Sequence, residues 1–188
     1  MYNISVIGNI GCGKSTLLTS LSKKHFDVAY EPVNEWKFLP KFYNDMKRWC
    51  FTLQVEILNS FKNMDINNKI VERSPWEACH IFAKNAFNNG LLTDEEYRLI
   101  ENITDNVGYK PGIFIYLRAS PEICMTRIDT RSRECESGIT IEYITQLYEL
   151  YEDCIQKLIK ENKKVIIINA QNNKEKICEE VCEWLKTM

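Results

Sequence analysis

The sequence has no surplus of positive charge. Its 24 Lys and Arg stand against 26 Asp and Glu, a formal net charge of -2, so no general field draws the chain to a nucleic-acid backbone, and any phosphate it binds must be met by a local site. Histidine is scarce, and His25 and His80 lack the neighbours that would mark a catalytic triad. No apolar run approaches the ~20 residues that cross a bilayer; Ile113-Phe114-Ile115-Tyr116-Leu117 and Val165-Ile166-Ile167-Ile168 are of strand length. No secretory leader is expected either, because Met1-Tyr2-Asn3-Ile4-Ser5-Val6-Ile7-Gly8 carries no basic residue and meets Gly8 after too few apolar ones. With no sign of secretion, the eight cysteines are expected as reduced thiols. Nor are there paired C-x-x-C ligands for zinc: Cys178 and Cys182 stand four apart, and Cys154 and His80 supply no second pair.

What is present suits one globular domain over residues 1–188: 45% apolar and 11% aromatic residues, with no repeat, low-complexity tract or linker. Short apolar runs recur at Ile4 to Ile7, Val28 to Tyr30, Lys69 to Val71, Ile113 to Leu117 and Val165 to Ile168. Helix-like sequence separates most of them, the pattern of a parallel sheet covered on both faces. The spacing predicts helices over Lys14 to Lys24, Met46 to Met64, Ser74 to Asn88 with a stop at Gly90, Thr140 to Asn162 and Asn173 to Lys186. Thr93 with Glu96 forms a capping box for another, and Ser120-Pro121-Glu122 starts a further one. The expected architecture is an α/β three-layer fold around a five-stranded parallel sheet.

Gly8-Asn9-Ile10-Gly11-Cys12-Gly13-Lys14-Ser15 fits G-x-x-x-x-G-K-[ST] between a strand and a helix, with Thr16 next in line. Its glycines let backbone N–H groups turn inward around an anion at the positive end of the following helix. Lys14 would reach the β- and γ-phosphates and the Ser15 hydroxyl would ligate Mg²⁺. Motors, switches and small-molecule kinases share such a loop, so the acceptor must be sought elsewhere.

Three further groups are placed to receive a phosphoryl group. Glu31-Pro32-Val33-Asn34-Glu35-Trp36 follows the second strand at the sheet edge where ligands of such folds bind, so Glu31 could accept a hydroxyl proton. Read bare, it is also a surface acid before a proline turn. Glu72-Arg73-Ser74 ends the third strand; Glu72 could hold Mg²⁺ through water and Arg73 could orient a hydroxyl, or the two could form a plain ion pair. Arg127, Arg131 and Arg133 form a basic cluster that would stabilise a phosphoryl group in flight, although a solvated helix end accounts for them too.

Taken together, Gly8 to Ser15, Glu31-Pro32-Val33 with Trp36, Arg48-Trp49-Cys50-Phe51-Thr52-Leu53-Gln54, Glu72-Arg73-Ser74 and Arg131-Ser132-Arg133-Glu134-Cys135-Glu136 resemble the deoxynucleoside kinase family over nearly the whole chain. That family includes deoxycytidine, deoxyguanosine and mitochondrial-type thymidine kinases and viral relatives. The resemblance implies a P-loop kinase fold with an arginine-rich lid at about residues 127–138. It implies ATP and Mg²⁺ as cofactors, transfer to the 5′-hydroxyl of a deoxynucleoside, and a homodimer using Met46 to Met64 and Ser74 to Asn88. No nucleic-acid or membrane partner is implied, and the expected location is the cytoplasm, that of the host for a viral chain.

By the same resemblance Glu31 matches the general base, Arg73 the contact to the 5′-hydroxyl, Tyr43 the phenol bonding the 3′-hydroxyl and Glu136 its carboxylate partner. Gln54 matches the amide reading the base edge and Phe82 the aromatic stacked on the base, opposite apolar residues such as Trp36. Arg127, Arg131 and Arg133 match the lid arginines, and Glu72 the acid near Mg²⁺. Where deoxycytidine kinases place Arg and Asp, this chain has Phe61 and Ala78. That difference resembles the thymidine-accepting, broad-specificity members, with room beside Ala78 for a 5-methyl group. Cys135 stands where many relatives have a second acid, which puts the lid's charge balance in doubt. A thymidylate kinase-like enzyme on the same fold and a nucleotide-binding regulatory module are the rival readings. The first makes less use of a base such as Glu31, and the second does not require Glu31, Lys14 and the lid arginines together.

Overall fold

The short apolar runs become the strands of one sheet in the computed structural model, which describes residues 3–66, 68–107, 109–132, 136 and 138–187. These are β1 (Ile4–Ile7), β2 (Val28–Ala29), β3 (Ile70–Glu72), β4 (Ile113–Arg118) and β5 (Lys164–Asn169). All pair in parallel, in the order β2-β3-β1-β4-β5. Ile4 lies opposite Ile70 on one side and Ile113 on the other, so β1, β3 and β4 run level toward one edge. A strand covered on both faces buries successive side chains whichever way they point, and β3 is buried throughout while β4 is buried up to Arg118. The second strand ends one residue sooner than expected, where the exposed Tyr30 leaves the sheet. The third begins one later because Lys69 turns aside to pair with Asp65 at 2.8 Å.

Helices cover both faces. In chain order they are α1 (Lys14–Ser22), α2 (Leu39–Asn44), α3 (Met46–Asn63), α4 (Pro75–Glu77), α5 (Lys84–Asn88), α6 (Asp94–Asn106), α7 (Pro121–Arg131), α8 (Ile141–Lys160) and α9 (Lys174–Lys186). On one face Leu17, Leu18 and Leu21 of α1 and Val181 of α9 pack with Val6, Ile115 and Leu117 of the sheet. On the other, Leu147, Tyr151 and Ile155 of α8 pack with Ile7, Phe114 and Tyr116. A further cluster joins Leu53, Leu58 and Phe61 of α3 and Ile100 of α6 to Val71 of β3. Cys178 and Cys182 of α9 are buried against the α1 face, their sulfurs 4.0 Å apart.

The predicted capping box forms: Thr93 Oγ1 accepts the Glu96 N–H at 3.2 Å and Glu96 Oε2 accepts the Thr93 N–H at 2.8 Å. Gly90 closes α5 as expected, in the left-handed conformation with φ 70°; its N–H donates to the Phe87 carbonyl and that of Leu91 to the Ala86 carbonyl. Two local features depart from the sequence reading. The helix expected over Ser74 to Asn88 is α4 and α5 with a π-helical stretch, Ala78–Ala83, between them. A 3₁₀ turn, Val33–Glu35, and α2 also occupy a segment assigned no helix, where Pro40 stands in the first turn of α2. Among the described residues no helix is long and apolar enough to cross a membrane.

Candidate active site

The loop from Gly8 to Ser15 joins β1 to α1 at the carboxyl edge of the sheet. Its first glycine has φ 143°, and a Cβ there would lie 2.7 Å from the Leu117 carbonyl oxygen; at Gly11, with φ 79°, a Cβ would lie 2.5 Å from that of Cys124. Side chains are excluded at both positions by backbone that cannot yield. Asn9 ties the loop to α8, donating from Nδ2 to the Ile144 carbonyl at 2.8 Å while its Oδ1 accepts the Ile10 N–H at 2.9 Å. Lys14 is buried and curls back over the loop, donating to the carbonyls of Gly8 at 2.8 Å and Asn9 at 2.9 Å. Ser15 Oγ donates to Glu72 Oε1 at 2.6 Å. These two hard oxygen donors, joined across α1 and β3, are of the kind Mg²⁺ takes alongside phosphate and water.

Beside the loop, Glu31 and Arg73 meet across the ends of β2 and β3. Arg73 Nε lies 2.9 Å from the Glu31 carboxylate, and both side chains are 9% exposed. Burial pushes the Glu31 carboxyl up to about 7, against the pull of Arg73. Burial disfavours the Arg73 charge, yet Glu31 and then Glu77 hold its pKa well above the usual value. Arg73 itself sits at φ 64°, a strained region for a residue with a side chain, of the sort that persists at sites where the surroundings enforce it. Glu72 and Arg73 are therefore no ion pair with one another: the acid faces Ser15 and the guanidinium faces Glu31.

A cavity of about 1080 Å³ opens along this edge, lined by Ile10 to Thr16, Glu31, Glu72 and Arg73, with Gly8 and Asn9 supporting the loop outside that lining. The same cavity is lined by the residues expected around a flat ring, Trp36, Gln54, Phe61, Ala78 and Phe82, and by Tyr43 and Glu136, expected at a sugar hydroxyl. Gln54 is 4% exposed and its Oε1 has no hydrogen-bond partner among the described residues, leaving a buried acceptor on a residue that lines the cavity. Trp36 is held by an Nε1 bond to Ser60 Oγ at 3.3 Å, and the Arg73 guanidinium lies 4.5 Å from the Phe82 ring centre. The π-helical stretch, with its wider turn, still leaves Ala78 and Phe82 on the cavity side.

Arg127 and Arg131 lie on one side of α7 and both line the cavity. Arg127 donates to the Cys12 carbonyl at 3.1 Å and the Ala170 carbonyl at 2.8 Å, which pins its guanidinium beside the phosphate loop. Arg131 forms a two-pronged pair with Glu136, at 2.7 Å from Nε and 2.5 Å from Nη2. The predicted cluster is thus not left to self-repulsion. Arg133 and Cys135 lie outside the described residues.

Sequence reasoning passed over Glu77 and Tyr151. Glu77 is wholly buried and bonds Gly8, Arg73 and Tyr151. The available signals were its position four residues after Arg73, and a tyrosine within the apolar stripe Ile144, Leu147, Tyr151, Ile155 of α8. Asn85 and Gln146 also line the cavity; nothing in their spacing separates them from surface amides.

The profile of the deoxynucleoside kinase family matches residues 4–187. A protein of Invertebrate iridescent virus 3, named as a kinase, is 34% identical over 163 residues, 84% of each chain. Human mitochondrial thymidine kinase 2 is 30% identical over 194 residues, 94% of this chain and 73% of that one. Among solved structures, deoxyadenosine kinase from M. mycoides with bound dCTP superposes with a TM-score of 0.89 at 26% identity, over 98% of this chain and 99% of that one.

Proposed function

Because the chain belongs to the deoxynucleoside kinase family, whose members phosphorylate deoxynucleosides with ATP, we propose that it is a pyrimidine-preferring member that accepts thymidine. The observation that carries this is the wall around Gln54. Phe61, at 1% exposure, and Ala78, at 4%, bring no charge to the base pocket, while the free Gln54 oxygen offers one acceptor. With its amide donor, that side chain can meet one acceptor and one donor on a pyrimidine edge. Similarity to a mitochondrial thymidine kinase supports the same reading.

In this reading Lys14 and the loop N–H groups from Ile10 to Thr16 hold the phosphates of ATP, and Glu31 takes the proton of the 5′-hydroxyl as the oxygen attacks, with Arg73 orienting that hydroxyl. Ser15 and Glu72 would hold Mg²⁺, which neutralises charge on the phosphates when bound. Tyr43 and Glu136 hold the 3′-hydroxyl, Phe82 and Trp36 enclose the base, and Arg127, Arg131 and Arg133 meet the charge on the transferred group. The reading includes cytoplasmic action and a homodimer through the segments Met46 to Met64 and Ser74 to Asn88. Sedimentation equilibrium should then return twice the chain mass, and a monomer at micromolar concentration removes the dimer.

The test is steady-state phosphorylation with Mg-ATP of thymidine, deoxycytidine, deoxyadenosine, deoxyguanosine and thymidine monophosphate in parallel. Highest kcat/KM on a pyrimidine deoxynucleoside, with measurable turnover of thymidine, is expected. No activity on thymidine beside rapid turnover of either purine overturns the specificity, a possibility the likeness to a deoxyadenosine kinase makes worth measuring. Product from the monophosphate alone would point to a thymidylate kinase-like enzyme, and ATP binding without any product to a regulatory module.

A further inference from the structure

We propose that Glu77 is a positioning residue for phosphoryl transfer: with the Tyr151 hydroxyl, its carboxylate holds the phosphate loop and Arg73 in one frame, so that the donor and acceptor halves of the site meet in register. Glu77 has no solvent exposure, and a buried carboxylate persists only where partners compensate its lost hydration. Here the partners come from both halves and all meet Oε1, while Oε2 has none among the described residues. Its Oε1 accepts the Gly8 N–H at 3.1 Å and Arg73 Nη1 at 3.0 Å, and it also meets the Tyr151 hydroxyl. Tyr151 accepts from Arg73 Nη1 at 3.2 Å and its O–H lies 3.0 Å from the Gly8 carbonyl oxygen, which also receives Lys14 Nζ at 2.8 Å. Gly8 is therefore held at both its N–H and its C=O by groups that also touch Arg73 or Lys14.

On the acceptor side the arrangement answers a specific need. Arg73 reaches Glu31 through Nε alone, and a single contact of that kind leaves the guanidinium plane free to swing. The backbone at φ 64° gives no relaxed alternative that would fix it. A second carboxylate on Nη1 sets the plane, and because the same oxygen grips Gly8, the distance from Arg73 to the phosphate loop is set at the same time. Glu77 touches neither substrate in this scheme; it acts through Gly8 and Arg73. Displacement of reacting groups by about 1 Å can lower turnover by about 100-fold without loss of binding.

This inference rests on reading the phosphate loop and Arg73 as the donor and acceptor halves of a kinase site. A wild-type protein that transfers no phosphate would end that reading, whereas an active wild type with unaffected variants would end only this inference. The experiment measures kcat, and KM for nucleoside and for Mg-ATP, in the full chain carrying Glu77→Gln, Tyr151→Phe or both. Tyr109→Phe serves as control, since it removes a buried hydroxyl that bonds the Ile4 carbonyl at the far end of β1, at 3.1 Å. We expect each single variant to lose at least about tenfold in kcat with both KM values changed less than about threefold, and the double variant to be no worse than its more damaging parent. Tyr109→Phe should lower the melting temperature and keep kcat. A kcat loss below about tenfold in both folded singles, losses that multiply in the double, or an equal kcat loss in Tyr109→Phe overturns the proposal. Should Glu77→Gln fail to fold, Tyr151→Phe decides by the same kcat criterion.

Discussion

Replacing Glu31 by Gln should lower kcat by about 10²- to 10⁴-fold while leaving nucleoside and ATP binding within a few-fold. The amide keeps the size of the side chain and can still accept from Arg73 Nε, now at 2.9 Å from the carboxylate, but it cannot take a proton from an attacking hydroxyl. Burial raises the Glu31 carboxyl to about 7, with Arg73 the main opposing influence, and this makes it a better base than an exposed glutamate while placing its titration in the working range. Only the ionised form accepts a proton. For the wild type, kcat/KM should therefore climb about tenfold per pH unit below that pKa and level off above it, and the Gln variant's residual rate should lack this limb. The linkage to stability has the opposite sign. Between the ordinary 4.5 and the raised value near 7 the folded state binds the proton more tightly than the unfolded chain does, so Glu31 makes the fold less stable as pH rises through that window. Near-normal turnover in Glu31→Gln would remove Glu31 from the role of base.

The features legible in the sequence were those fixed by local chemistry. Ile4 to Ile7 followed by Gly8 and a Gly-rich turn could be little else than strand and phosphate loop, and the strand found is Ile4–Ile7. Thr93 with Glu96, and Gly90, announced their helix ends because each completes hydrogen bonds within a few residues. The phosphate loop and Glu72 could be assigned to one sheet edge because each follows a strand, but the Ser15–Glu72 bond depends on β1 and β3 being neighbours, which the sequence reading did not establish. The hidden features depend on long-range packing. Glu77 reads as an ordinary helix acid until the fold buries it against Gly8 and Tyr151, 69 residues before it and 74 after it in the chain. The π-helical turn at Ala78–Ala83 leaves no mark in the apolar pattern, which suits a continuous α-helix equally well. Arg127 illustrates a third case: the spacing placed it beside Arg131, but its anchorage on two backbone carbonyls has no sequence signal at all.

Arg131→Ala should lower kcat by about 10³-fold, the range in which a guanidinium supplied to a transferring phosphoryl group is felt, with only a modest rise in the nucleoside KM. The two arginines of α7 are held differently. Arg127 is bound to neutral carbonyls of Cys12 and Ala170 and so sits beside the phosphate loop with its charge unmatched by those bonds. Arg131 is matched by Glu136 through two bonds, and its side chain is 32% exposed against 9% for the acid. The acid is nearly buried, so removing Arg131 also strips its carboxylate of two bonds and should lower the melting temperature; kcat measured on the folded variant, well below that temperature, isolates the loss of chemistry. In the proposed mechanism Arg131 would exchange Glu136 for the phosphoryl oxygens as charge develops on them, and Glu136 would be left to the sugar 3′-hydroxyl together with Tyr43. That interaction would strengthen only in the transition state, which is why its loss should appear in kcat far more than in KM. The opposite pattern, a raised nucleoside KM with kcat preserved, would mean that Arg131 serves only to orient Glu136 toward the sugar.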